Sequence, residues 1–177
     1  MIWSKLKKTV ESLLADSVRE HLQVHLTRYG SGNTYFMTRA WVTWDGEEIG
    51  TFSAIKYWNE QKRIASLLSE ESGSDSGKRF AYLEHMEHAR TLLEQDGLYP
   101  TERFLTALEM YISLSIEDAL CSSDILIRAW SMFDRRLGKR RLRAMDAENM
   151  DRAFEQRWYR LRCGAEGIRV EEPVDDE

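Results

Sequence analysis

The chain has 177 residues, of which 42% are hydrophobic and 31% are charged, a composition typical of a globular protein with a buried core. Its net charge is −5, but residues 171–177 (the acidic segment) carry five of its 30 acids and no base, which leaves 25 acids against 25 bases elsewhere. This neutral remainder lacks the long-range positive field typical of nucleic-acid-binding proteins. No apolar run is long enough for a transmembrane helix, so no membrane partner is expected.

The first part of the chain, residues 1–55, is predicted to form a helix followed by three strands. Apolar residues recur at helical spacing over 3–20, and strict alternation of apolar and polar residues follows over 22–27. A second strand is predicted over 35–44 because the segment is rich in β-branched and aromatic residues. The turn signal Asp45-Gly46 then leads into a third strand, which completes an antiparallel β-meander.

Residues 56–168 are predicted to be mostly helical, with about five helices and a flexible polar loop at 72–78. The helix expected over 101–121 has the widest apolar arc, which indicates the most buried position. The fold class is therefore α+β, in a single domain over 1–168, followed by an acidic tail over 169–177 that is expected to be disordered.

The most basic part of the chain is DRRLGKRRLR, residues 134–143. Its six bases form the predicted binding surface: Arg135, Arg136, Lys139, Arg140, Arg141 and Arg143. One helix running through Gly138 would place Leu142 among the charges, so a break at Gly138 is predicted. Arg135 and Arg136 would then lie in the last turn of the preceding helix, where cations interact favourably with the helix dipole.

Regional charge favours internal pairing for part of this surface. Residues 128–162 hold eleven bases and five acids, a net charge of +6, whereas residues 70–118 hold eleven acids and four bases, a net charge of −7. Asp118 and Arg157 each fall on the apolar side of a predicted helix, so they are candidates for buried ion pairs. A surface for an anion, for nucleic acid or for a partner protein is the alternative interpretation.

Four segments of the chain resemble a known family: the opening WSKLKK, LSIEDAL at 114–120, DRRLGKRRL at 134–142, and LRCGAEGI at 161–168. These patterns are similar to those of a family of small bacterial cytosolic proteins of unknown function. The resemblance implies a bacterial origin and assigns no catalytic residue. Cys121 and Cys163 lack metal-ligand spacing, which favours free thiols and a cytoplasmic location.

Two further groups of residues are candidates for a site. Arg39 and Trp41 share one face of the second strand; a buried Trp41 is favoured, but exposure would give an aromatic and basic platform for peptides or single strands. His85, His88 and Glu84 lie close together on one helix, where a solvated polar face is favoured over a metal site. No metal and no cofactor is expected.

No group of residues has the types and spacing that catalysis requires, so no catalytic residue is assigned and an enzyme is disfavoured. The sequence predicts a macromolecule-binding module, of the protein-interaction or immunity and adaptor kind, whose partner is a protein. The first alternative is nucleic-acid binding through residues 135–143. The second is a metal- or carboxylate-dependent hydrolase. The partner's identity and the oligomeric state stay open.

Overall fold

A computed structural model of the chain describes residues 2–28, 38–72, 78–146, 150 and 153–170. Its elements in chain order are α1 (Trp3–Leu13), α2 (Asp16–Arg19), β1 (Leu22–Arg28), β2 (Thr38–Trp44), β3 (Glu47–Ser53), α3 (Ala54–Ser72), α4 (Lys78–Gln95), α5 (Thr101–Tyr111), α6 (Ile116–Leu120), α7 (Ile125–Ser131), α8 (Lys139–Ala144) and α9 (Ala153–Ala165). The predicted α+β class, with its antiparallel sheet and mostly helical second half, is confirmed. Most of the predicted loop and of the acidic tail lies outside the described residues.

The chain divides into two compact units. The first unit consists of Met1–Leu22 and Ala107–Glu177, and the second consists of Gln23–Thr106. Every helix of the described ranges is too short or too polar to span a membrane.

In the second unit the sheet has the strand order β1-β2-β3, and β2 pairs antiparallel with β3. The predicted turn joins them, because Trp44 lies opposite Glu47 across a two-residue loop. Asp45 and Gly46 both have positive φ, 51° and 86°, which is the backbone that a tight hairpin requires and that Asp-Gly adopts readily. One face of β2 is fully buried through Ala40 and Val42.

Thr101 joins the start of α5 to this sheet. Its buried hydroxyl lies 2.7 Å from the carbonyl oxygen of Thr38 and 2.9 Å from that of Phe52, within hydrogen-bond distance of both strands. The Phe52 ring stacks on Phe104, with 3.8 Å between ring centroids. The sheet is therefore held to α5 by one polar contact beside an aromatic one.

Among the described residues of the first unit, two groups of core side chains position α8 and α9. One is aromatic, with the rings of Trp130, Phe133, Phe154 and Trp158 in mutual contact. The other, named the central cluster here, consists of Ile116, Met132, Leu137, Leu142, Tyr159 and Cys163. Leu142 of α8 is completely buried in the central cluster, which explains how a leucine fits among the basic residues.

The single helix predicted over 101–121 is wrong, because α5 ends at Tyr111 and α6 begins at Ile116. Ser115 is the N-cap of α6, and its hydroxyl accepts a hydrogen bond of 3.1 Å from the backbone N–H of Asp118. This capping contact satisfies one of the donors that a helix start leaves unpaired.

Replacement of Thr101 by Val keeps the side-chain shape but removes the hydroxyl, so the hydrogen bond that its one proton makes to these carbonyls is lost. We expect the free energy of unfolding in urea to fall by about 1–2 kcal/mol. Thr101→Ser keeps the hydroxyl and should restore part of that loss. Equal stability of the Val and Ser variants would contradict a role for the hydrogen bond.

Candidate functional site

Asp134 is completely buried, and its carboxylate is the centre of the DRR motif. The Tyr111 hydroxyl donates a hydrogen bond to it. The Arg136 guanidinium contacts both of its oxygens, with Nη2 at 2.6 Å from Oδ2 and Nε at 3.1 Å from Oδ1. The backbone N–H of Arg136 donates to Oδ1 at 2.8 Å. A buried carboxylate requires such a set of donors and a cation, and this set supplies both.

These contacts raise the pKa of both side chains that donate to Asp134. Burial, followed by the hydrogen bond to Asp134, raises the pKa of Tyr111 well above its usual range. The hydrogen bond to Asp134 likewise raises the pKa of Arg136. Both groups therefore keep their protons at neutral pH, which suits a structural contact rather than acid–base catalysis.

Backbone hydrogen bonds connect the same motif to the end of α1. The N–H of Arg135 donates to the carbonyl of Leu13 at 2.8 Å, and the N–H of Ala15 donates to the carbonyl of Phe133 at 2.9 Å. The predicted position of Arg135 and Arg136 in a last helical turn is wrong, because α7 ends at Ser131. Gly138 marks a break as predicted, but it is the N-cap of α8 rather than a helix end.

A second buried network lies between α9 and α8. Arg162 is 3% exposed, and its Nη2 lies 2.8 Å from Oε1 of Glu166. Ser17 donates to the same oxygen at 2.6 Å, and Lys139 Nζ lies 2.9 Å from Oε2. Burial raises the pKa of Glu166, but the hydrogen bonds from Ser17 and Lys139 and the charge of Arg162 outweigh it, so the net shift is downward.

Two further pairs use arginines of the same region. Arg128 contacts Glu155 through two hydrogen bonds of 3.1 and 3.2 Å, and Glu155 is buried. Arg141 contacts Glu117 at 2.7 Å, and both of these side chains are largely exposed. Of the four acids in the networks described so far, only Glu117 belongs to the acidic region 70–118. Local acids therefore neutralise most of these bases.

The predicted buried ion pairs of Asp118 and Arg157 require correction, because both residues are exposed. The prediction assumed one continuous helix, in which Asp118 would lie on the apolar side. Because α5 ends at Tyr111 and α6 starts as a separate helix, Asp118 has a different orientation. Asp118 instead belongs to the cap of α6, where its carboxylate accepts a hydrogen bond from the Ser115 hydroxyl at 2.7 Å. Arg157 lies on the exposed side of α9.

Three arginines of the predicted binding surface are exposed: Arg135, Arg140 and Arg143. Their side chains have no hydrogen bond or ion pair within the described ranges, whereas Arg136, Lys139 and Arg141 do. We call these three residues the basic surface. Leu142 points into the core, so Arg140 and Arg143, at −2 and +1 relative to it, lie on other sides of α8.

A pocket of about 440 Å³ opens along another side of α8. Its walls are mainly apolar and include three methionines, so we call it the methionine pocket. It is lined by Leu120, Met132, Leu137, Arg141, Ala144, Met145, Asp146, Met150 and Glu155. The sequence analysis did not predict this pocket, because its three methionines do not recur at the spacing of one helix. The number of methionines close to α8 in the sequence was the one available sign. The contact of Ser17 with Glu166, which lie 149 residues apart, was not predicted either.

The sheet face of the second unit that carries Arg39 and Trp41 is partly exposed, so the favoured burial of Trp41 is wrong. The alternating residues Ala40 and Val42 occupy the buried face instead. The Trp41 ring stacks on His25 at 4.9 Å, and the Arg39 guanidinium lies 4.9 Å from the ring centroid. The ring is therefore already in contact with two side chains, which leaves little of it for a stacked base.

The other candidates do not form a metal or thiol site in the described part of the chain. His85 Nδ1 lies 2.7 Å from the Ser69 hydroxyl, while His88 and Glu84 are exposed. No group of three or more potential metal ligands occurs among the described residues. Cys121 and Cys163 are both free, and burial raises the pKa of the Cys163 thiol.

Comparison with known proteins identifies a family. A family model described as the SF0329 protein family matches residues 2–163 of the chain. No curated protein matches the chain, and no solved structure matches it. The matched residues include the DRR motif and α8, and they end before the acidic segment.

Arg136→Ala should lower the free energy of unfolding by about 3 kcal/mol, because the fully buried Asp134 carboxylate loses its cation. The neighbouring Arg135→Ala is a matched control, since it removes the same side chain from an exposed position. Its effect should stay within about 0.5 kcal/mol. Urea denaturation of both variants at pH 7 measures the difference, and equal effects would contradict the assigned role of Asp134.

Glu166→Gln removes the charge from the network on α9 and should cost about 1–3 kcal/mol at pH 7. Because the folded pKa of Glu166 is lowered, its contribution is fully present above the unfolded value near 4.5 and is lost as the pH falls through the folded value. The stability difference between wild type and variant should therefore shrink in acid. A difference that is constant from pH 7 to pH 3 would contradict this assignment.

Proposed function

The chain belongs to the SF0329 protein family, and we propose that it is a bacterial cytosolic module that binds another protein and catalyses no reaction. The family membership assigns no chemistry, so the proposal depends on the surface of the first unit. Two free cysteines are consistent with a reducing compartment.

The observation that carries the proposal is the methionine pocket on α8, the same short helix that carries two arginines without a partner among the described residues. Arg141 and Ala144 of α8 line the pocket, and Arg140 and Arg143 of the same helix extend into solvent. Methionine side chains are flexible and polarisable, so they adapt to the apolar side chains of a partner. Arginine is enriched in protein interfaces and often dominates their energetics.

This arrangement specifies the chemistry of the partner. An apolar side chain entering the methionine pocket would be removed from water, and carboxylates beside it would pair with Arg140 and Arg143. The partner segment is therefore apolar at its centre and acidic at its flanks. Positive charge near the pocket also favours the approach of such a segment.

Nucleic-acid binding is the alternative for the same arginines, and three features favour a protein instead. Of the six predicted bases, three have side chains without a hydrogen bond or ion pair among the described residues, which is few for a surface that follows a phosphate backbone. A phosphate backbone has no group that would fill an apolar pocket. The aromatic ring on the sheet, Trp41, is already stacked.

The hydrolase alternative receives no support from its proposed residues. His85 is hydrogen-bonded to Ser69, and Asp118 belongs to the cap of α6. These contacts give each residue a structural role.

The proposal is tested by immobilising the full-length chain and three variants of it, and by capturing proteins from a nuclease-treated lysate of the cells in which the chain occurs naturally. The basic-surface variant changes Arg135, Arg140 and Arg143 to Ala, and the pocket variant is Ala144→Phe. The control changes three exposed bases of the same unit to Ala: Lys5, Lys8 and Arg157. We expect one protein to be retained by wild type and control and to be reduced at least tenfold by each of the other two variants.

In a titration with the purified partner, wild type and the control should bind tightly, and the basic-surface and pocket variants should bind more weakly. Retention of the same proteins by all the variants would contradict the assigned surface. Retention that nuclease treatment abolishes would contradict a protein partner and favour nucleic acid.

A further inference from the structure

The described chain ends at residue 170, against the core of the first unit. At the end of α9, Gly167 has a φ of 68°, the N–H of Gly167 donates to Gly164 at 3.0 Å, and the N–H of Ile168 donates to Cys163 at 2.8 Å. These two bonds and the left-handed glycine form a Schellman motif, which reverses the chain after a helix. Ile168 and Val170 then pack against the central cluster, which contains Leu142 of α8.

The same turn is tied directly to the start of α8. Lys139, the first residue of α8, contacts the Glu166 carboxylate at 2.9 Å and the Glu166 carbonyl oxygen at 3.3 Å. The chain therefore contacts the first residue of α8 at residue 166, and at residue 170 it packs against the cluster that contains Leu142 of α8.

The next residues in the sequence are the acidic segment, 171–177, with five carboxylates and no base. Seven residues span up to about 25 Å when extended, whereas the six residues of α8 span about 9 Å. The segment is thus long enough to follow the whole of α8. Its charge is complementary to that of three arginines whose side chains have no partner among the described residues.

We propose that residues 171–177 bind to the basic surface of their own chain, with carboxylates on Arg140 and Arg143. If the proposed function holds, the acidic segment competes with the partner protein for the same arginines, and this regulatory part rests on that proposal. Exposed ion pairs are individually weak, but attachment to the same chain gives the segment a high effective concentration. The contact is therefore occupied in isolation and displaceable by a partner.

Zero-length cross-linking tests the contact without any partner. In the full-length chain, Arg140→Lys and Arg143→Lys keep both charges and place amines where a carbodiimide can join them to carboxylates. Lys5 and Lys8, exposed on α1 of the same unit, are internal controls for random encounters. Cross-links are mapped by proteolysis and mass spectrometry in the monomeric fraction.

We expect cross-links from the acidic segment to positions 140 and 143 to exceed those to Lys5 and Lys8 at least fivefold at low salt. They should fall several-fold in 0.5 M NaCl, where charge interactions are screened. Equal yields at all four positions would overturn the proposal. Cross-links found only in dimers would overturn it too, since the segment would then bind a second copy.

A labelled peptide with the sequence of residues 168–177 provides a second measurement. It should bind the full-length chain several-fold more tightly after neutralisation of the segment by Glu171→Gln, Glu172→Gln, Asp175→Asn, Asp176→Asn and Glu177→Gln. Equal binding to this variant and to wild type would overturn the proposal. Neither measurement uses the partner, so a failure of the capture experiment would remove the proposed function and leave the intramolecular contact standing.

Discussion

A single buried carboxylate, that of Asp134, joins three parts of the unit formed by residues 1–22 and 107–177. Removing a charge from water is costly, and this site compensates the cost with a phenol from α5, a guanidinium and a backbone N–H. The peptide groups on either side of Asp134 bond to Leu13 and Ala15 at the end of α1. The start of the chain, the end of α5 and the end of α7 therefore meet at one residue.

The same demand for neutralisation determines which bases have no partner within the described part of the chain. In the described part of this unit, the buried acids Asp134 and Glu155 and the half-buried Glu166 each have a cation beside them: Arg136, Arg128, and Arg162 with Lys139, respectively. These cations fix the positions of α8 and α9. The basic surface is what remains of the six bases after pairing with Asp134, Glu166 and the exposed Glu117, so a count of bases in this stretch overstates it about twofold, from six to three.

Features set by neighbouring residues were predictable from the sequence, and those set by distant ones were not. The Asp45-Gly46 hairpin follows from the backbone preference of two residues, and Leu142 alone required a break near Gly138. Apolar residues recur at helical spacing throughout 101–121, so periodicity gave no sign of the break between α5 and α6. Ser115 with an acid three residues later, Asp118, is the pattern of a helix start and does indicate that break. Asp134 is a buried site partly because Tyr111, 23 residues away in sequence, donates to its carboxylate, and no local pattern signals that contact.

The division of the chain has a consequence for its biosynthesis. Residues 23–106 form one compact unit and leave the ribosome as a continuous stretch. This unit can therefore fold before the rest of the chain has been synthesised. Leu6 and Val10 of α1 belong to the other unit, and they stay exposed until residues beyond 106 have been made. Bringing residues 1–22 into contact with residues beyond 106 closes a long loop, which is slow compared with the formation of local contacts. The apolar side of α1 therefore waits longest for its native partners, which are made only after the whole second unit.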